Sequence, residues 1–269
     1  MRLPRSWTTL VAGLALAAPL LLAGGPTTAA PPPQVEAVAL GDSYAAGVGA
    51  PPAVDGCGRT GGSYPARVDG RRRIDLVAHA ACGGASTSDV ISSQLEQLDA
   101  GTDLVTLTVG GNDIGWSQAL AACLLGSDAQ CQAAVTAASQ AIALQLPGRM
   151  DATLTAVTEA APEAHVVVTG YPLLFSPEYG DTSLLSVAEQ RAVNAGVELL
   201  NGVLAAAAAA HGAQYLDVTS RFEGHGIGSP EPWIHGPSPD LSVAFHPTAE
   251  GYNAYAAALT SGLRTSDLR

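Results

Sequence analysis

Five short runs rich in Val, Leu and Ala punctuate the chain: "VEAVAL" from Val35, "IDLVAHA" from Ile74, "DLVTLTV" from Asp103, "HVVVTG" from His165 and "AQYLDV" from Ala213. Their apolarity is continuous rather than alternating, the pattern of strands covered on both faces. Amphipathic stretches separate them. Ile91, Leu95 and Leu98 fall at four-three spacing, and Val193, Val197, Leu200 and Leu204 repeat it behind a Ser186-to-Glu189 capping box, with Gly212 as the stop signal. Strand and helix in alternation predict an α/β fold with a mainly parallel sheet and right-handed crossovers. The 269 residues are enough for one such core, and no segment reads as an interdomain linker.

Ahead of the first run, Arg2 and Arg5 precede an apolar stretch from Leu10 to Ala23 and the small residues "GGPTTAAPPP". This is the layout of a secretory signal peptide over residues 1–30, cleaved after Ala29 or Ala30, with residues 31–269 as the mature domain. The apolar part is short for a membrane anchor and has no basic stop-transfer flank behind it, so a secreted protein without integral membrane association is expected. The absence of an Arg-Arg pair favours the general secretory route. A formal net charge of −12, with arginine supplying every basic side chain, argues against nucleic acid and anionic membrane surfaces as partners. The basic cluster Arg71 to Arg73 reads as a solvated turn before the second strand. The cysteines Cys57, Cys82, Cys123 and Cys131 predict disulfides in an exported chain. Of the possible pairings, loop locality favours Cys57 with Cys82 and Cys123 with Cys131, and the lack of CxxC spacing argues against zinc.

In open parallel sheets ligands gather at the carboxyl ends of the strands, which directs attention to the loop that leaves each one. After the first strand comes "GDSY", after the second "ACGGAST", after the third "GGND", and before the last helix "FHPTAEGY". Ser43, just past a buried strand, presents a hydroxyl at a helix start. It needs an imidazole to take its proton before it can attack a carbonyl. His246 suits that task, because Pro247 fits the first position of a helix continued by Tyr252, Ala256, Leu259 and Leu263. His79 and His165 fall in strands, His211 at a helix end, and His225 and His235 in the loop Gly224 to Pro239, where surface exposure is the default. Gly84 allows close backbone approach, and Asn112 can aim an amide. With the Ser43 N–H they would supply three donors to a developing oxyanion.

Taken in order, these four motifs resemble the four blocks of the SGNH hydrolases, also called GDSL esterases and lipases, over most of the mature chain. Spacing and cysteines are similar to those of secreted actinobacterial members. The resemblance implies a flavodoxin-like, three-layer α/β/α fold and a serine carboxylic ester hydrolase. It casts Ser43 as nucleophile, the Ser43 N–H, Gly84 and Asn112 as oxyanion hole and His246 as base, with no metal or organic cofactor. One position departs from the family: where most members carry an aspartate three residues before the histidine, this chain has Val243. The ring N–H then needs another acceptor, either the carbonyl of Val243 or one beside it, as in some relatives of this resemblance, or the side chain of Asp240. Leu173, Leu174, Phe175, Tyr179, Trp233, Ile234 and Phe245 are candidates for an acyl groove. They point to lipids or medium-to-long acyl esters, hydrolysed by a monomer. A phospholipase A, a polysaccharide acetyl esterase or a thioesterase would share the site. A non-catalytic secreted binding module is the alternative of another class, and Ser43, Asn112 and His246 together argue against it.

Overall fold

A computed structural model of the protein describes Met1 and residues 33–268, apart from 51, 184 and 239–242. Residues 2–30 of the expected leader and Asp240 lie outside the described residues. Strands β1 (Val35–Gly41), β2 (Ile74–His79), β3 (Leu104–Thr108), β4 (His165–Thr169) and β5 (Gln214–Leu216) pair in parallel, in the order β2-β1-β3-β4-β5. That is the flavodoxin-like order, whose switch point lies between β1 and β3. Every side chain of β3 is buried, as its continuous apolar run predicts. β2 departs from expectation: it is an edge strand with β1 as its one neighbour, and Val77 is 52% exposed.

The helices are α1 (Ser43–Ala46), α2 (Tyr64–Val68), α3 (Thr87–Asp89), α4 (Trp116–Leu125), α5 (Asp128–Leu144), α6 (Leu146–Ala160), α7 (Val187–Ala210) and α8 (Ala249–Gly262). α2 and α8 pack on each other and on the edge strands, while α5, α6 and α7 pack together and α7 lies on β4 and β5. The sheet is the middle of three layers. α7 begins at the Ser186–Glu189 capping box and buries Val193, Val197, Leu200 and Leu204, and Gly212 beyond its end takes φ +68°.

Two local expectations are corrected. The helix read over Ile91, Leu95 and Leu98 is broken: α3 runs into a π turn, Val90–Gln94, and then a 3₁₀ turn, Leu95–Gln97. The wider π turn rotates Val90 and Gln94 inward and leaves Ile91 39% exposed. Pro247 is not the first residue of α8. It precedes Thr248, whose hydroxyl caps the helix by accepting from the Gly251 N–H at 3.3 Å. Arg71 to Arg73 is the expected solvent-facing turn before β2, and from it Arg72 donates to the Thr260 carbonyl at 2.7 Å and Arg73 to that of Leu268 at 3.1 Å. These bonds satisfy carbonyls at the C-terminal end of α8 and beyond it. Disulfides join Cys57 to Cys82 and Cys123 to Cys131.

Candidate active site

β1 ends on a residue that has to be glycine. Gly41 has φ +126°, and a Cβ there would stand 2.1 Å from the Thr108 carbonyl oxygen of the neighbouring strand. The buried Gln94 side chain holds it from the side, accepting from the Gly41 N–H at 2.7 Å and donating to its carbonyl at 2.9 Å. Asp42 comes next, also buried, and caps α1 by accepting from the Tyr44 N–H at 2.9 Å. Its other oxygen accepts from the Tyr171 hydroxyl at 2.5 Å, and that hydroxyl in turn accepts from the Gly111 N–H at 3.2 Å. Burial lifts the Asp42 pKa to about 7, against the opposing pull of the Tyr171 hydrogen bond. The loops after β1, β3 and β4 are thus joined through one phenol.

Ser43 is the first residue of α1, so its N–H has no acceptor inside the helix. Its Oγ lies 2.7 Å from His246 Nε2, and His246 Nδ1 lies 2.9 Å from the Ala244 carbonyl oxygen. With Nε2 accepting the serine proton, Nδ1 carries hydrogen and donates to that carbonyl. The carbonyl at bonding distance is that of Ala244, beside Val243, whose own carbonyl takes the His246 backbone N–H at 3.2 Å and also favours the protonated ring. A tight turn sets this arrangement. Phe245 sits at φ +63°, its N–H donating to the His235 carbonyl at 2.8 Å and its own carbonyl accepting from the Tyr44 hydroxyl at 2.5 Å. Burial pushes the His246 pKa down to about 4, and the Ala244 bond opposes it.

Gly84, at φ +81°, and Asn112 line a cleft of about 750 Å³ together with Ser43 and His246. Asn112 donates one amide hydrogen to the Ala85 carbonyl at 2.9 Å, which ties it to the loop carrying Gly84 and leaves a second hydrogen for a ligand. Asp113 strengthens the tie, accepting from the Thr87 N–H at 3.0 Å and the Thr87 hydroxyl at 2.5 Å, while Arg149 donates to its carbonyl at 2.9 Å. The Cys57 to Cys82 bridge enters the same loop two residues before Gly84, and the Gly83 N–H donates to the Cys57 carbonyl at 2.8 Å.

A second, apolar cavity of about 280 Å³ opens on the other side of Ser43 and His246. Of the residues expected to form an acyl groove, Leu174 and Phe245 line it, but Leu173 and Phe175 face a different pocket. Tyr179 is exposed, Ile234 is buried, and Trp233 stacks on His225 with ring centres 3.6 Å apart. The main walls are Trp116, Leu120 and Leu124 of α4 with Val197 and Leu200 of α7. By sequence pattern these are helix faces that cover the sheet. The apolar residues of α4 beside "GGND" were the available signal.

The remaining histidines have other partners. His79 bonds the Ala45 carbonyl at 3.0 Å, His165 the Gln214 amide at 2.9 Å, and His211 the Asp151 carboxylate at 2.9 Å. His225 and His235 are half-buried rather than exposed, and His235 lines the wider cleft while bonding the Gly49 carbonyl at 2.9 Å. Among the described residues no cluster of three or more His, Cys, Asp or Glu is placed to hold a metal ion.

A parallel sheet that carries a hydrogen-bonded serine and neutral imidazole at its carboxyl edge, beside an apolar cavity, defines a class: the α/β ester hydrolases. The GDSL-like lipase/acylhydrolase family model matches residues 39–254. Lipase 1 of Streptomyces coelicolor is 38% identical over 248 residues, which cover 90% of this chain and 92% of that protein. Among solved structures, a phospholipase A1 from Streptomyces albidoflavus superposes with a TM-score of 0.81 at 38% identity, over 86% of this chain and 100% of the other. An extracellular lipase from Streptomyces rimosus does so with a TM-score of 0.79 at 37% identity, over 85% and 100%. The chain belongs to the GDSL-like lipase/acylhydrolase family, and it is an ester hydrolase.

Proposed function

We propose that the protein is an exported hydrolase of medium-to-long acyl esters, working through a covalent acyl-enzyme on Ser43. The observation that carries this reading is the 2.7 Å contact of Ser43 Oγ with His246 Nε2 at the mouth of an apolar cavity. Nε2 takes the hydroxyl proton as Oγ attacks the ester carbonyl. The N–H groups of Ser43 and Gly84 and the free amide hydrogen of Asn112 receive the oxyanion. The ring then returns its proton to the departing alcohol, and a water repeats the sequence on the acyl-enzyme. His246 and Ser43 form a dyad, with the Ala244 carbonyl fixing the tautomer that a carboxylate fixes in a triad.

Export, with residues 1–30 removed and 31–269 as the hydrolase domain, is supported by the leader pattern at Arg2, Arg5 and Leu10 to Ala23 and by the extracellular relative. The acyl preference is supported by the apolar wall of α4 and α7, since each buried methylene contributes about 0.8 kcal/mol. Nitrophenyl esters of increasing chain length test it. The expected result is kcat/KM rising from acetate through octanoate, and a maximum at acetate would assign the site to short acyl groups.

A further inference from the structure

We propose that the wider cleft, on the Cys57 to Cys82 side of the catalytic pair, holds the alcohol half of the ester, and that Asp55 makes it select an uncharged alcohol over one bearing a phosphate. The inference rests on the ester-hydrolase reading above. Two spaces meet at Ser43 and His246. One is walled by large apolar side chains, while the other is wider and adds Asp55, Thr60 and His235 to small residues such as Val48, Ala50 and Gly56. An acyl chain gains from burial in the first. The leaving alcohol must stay within reach of His246, which returns its proton, and hydroxyl groups lose least in the second, where backbone polar groups and water remain available.

The charge arrangement of this cleft is unusual. Phosphate-binding loops rich in glycine present backbone N–H groups and a cation to the ligand. Here the loop "DGCGR" turns those donors onto its own carboxylate. Asp55 accepts from the Cys57 N–H at 3.0 Å, from the Arg59 N–H at 3.3 Å and from Arg59 Nε at 2.6 Å. The guanidinium's NH1 donates to the His79 carbonyl at 2.8 Å. The Arg59 hydrogen bond holds the Asp55 carboxyl below the usual carboxylate range, so it is ionised wherever the enzyme would act. Among the described residues no arginine lines the cleft, and the nearby Arg59 is held by Asp55. An arriving phosphodiester would find the Cys57 and Arg59 N–H groups and the Arg59 Nε–H of the loop already engaged by Asp55.

The test compares dioctanoylglycerol with dioctanoylphosphatidylglycerol, which share acyl chains, in the same neutral mixed micelles. A sucrose octanoate forms a third arm. Wild-type enzyme should favour a neutral ester over the phospholipid by about tenfold or more in kcat/KM, because the phosphate would give up water for a cleft whose loop donors are already taken. The order of the two neutral esters separates a glyceride from a sugar ester. Asp55→Asn keeps the loop's acceptor oxygen, removes the charge and releases Arg59, so the preference should narrow by roughly tenfold. Adding Arg59→Gln should reverse part of that narrowing. A wild-type preference for the phospholipid overturns the proposal, as does an Asp55→Asn enzyme that loses activity on both lipids in proportion. The same ranking, read as affinity of the two lipids for Ser43→Ala, judges the cleft even if turnover on every lipid fails, which would instead count against the hydrolase reading.

Discussion

At the scale of single residues, an imidazole turned by a main-chain carbonyl behaves differently from one paired with a carboxylate. A carboxylate partner would hold the protonated ring and raise its pKa, whereas burial against Ala244 leaves His246 at about 4. Only the neutral ring can take the Ser43 proton, so activity is present above the folded-state pKa and lost as pH falls through it. The acidic limb of kcat/KM on a nitrophenyl ester should therefore lie well below the ordinary imidazole value. A limb near 6.5 would mean that a carboxylate or water has restored the ring's basicity. If the proposed oxyanion hole holds, Asn112→Ala removes one of its donors and should lower kcat on the order of 10² to 10³-fold with a smaller change in KM. A raised KM at constant kcat would make Asn112 a ground-state contact instead. The four motif residues were readable because each lies where a strand ends or a helix is about to start. The phenol of Tyr171 was not: its bond to Asp42 joins positions 129 residues apart, and nothing local in "GYPLL" announces it.

Among the elements, the loops after β1, β2 and β3 act as one unit because covalent and polar ties cross between them. The Cys57 to Cys82 bridge enters the Gly84 loop, Asn112 and Asp113 clasp that loop from β3, and Gln94 locks the end of β1. The sheet itself depends on buried β1, β3 and β4 rather than on these ties. Mild reduction should therefore lower esterase activity before far-ultraviolet circular dichroism reports loss of the sheet, although the bridge also stabilises the fold by about 2 to 4 kcal/mol. Activity and ellipticity falling together would mean that the bridge acts only through global stability. The five strands and α7 were legible from periodicity and caps. The π turn was not, since Gln94 is a polar residue buried to satisfy the Gly41 backbone, a need that hydrophobic spacing does not encode.

For the whole molecule, the flavodoxin-like strand order places the "GDSY" and "GGND" loops on either side of the switch point, and α8 brings His246 to the same edge from the far end of the chain. The alternation of strands and helices carried that much. It did not reveal that α4 would leave the sheet to wall a cavity, since its apolar face looks the same whether it covers a strand or an acyl chain. The proposed catalysis depends on Ser43 being activated by His246. Its most direct measurement is labelling of the intact protein with a fluorophosphonate, with the adduct located by peptide mass spectrometry. The predicted result is one adduct on Ser43 that His246→Ala nearly abolishes while the variant's circular dichroism stays native. An adduct on another residue, or undiminished labelling of Ser43 in folded His246→Ala, would contradict it.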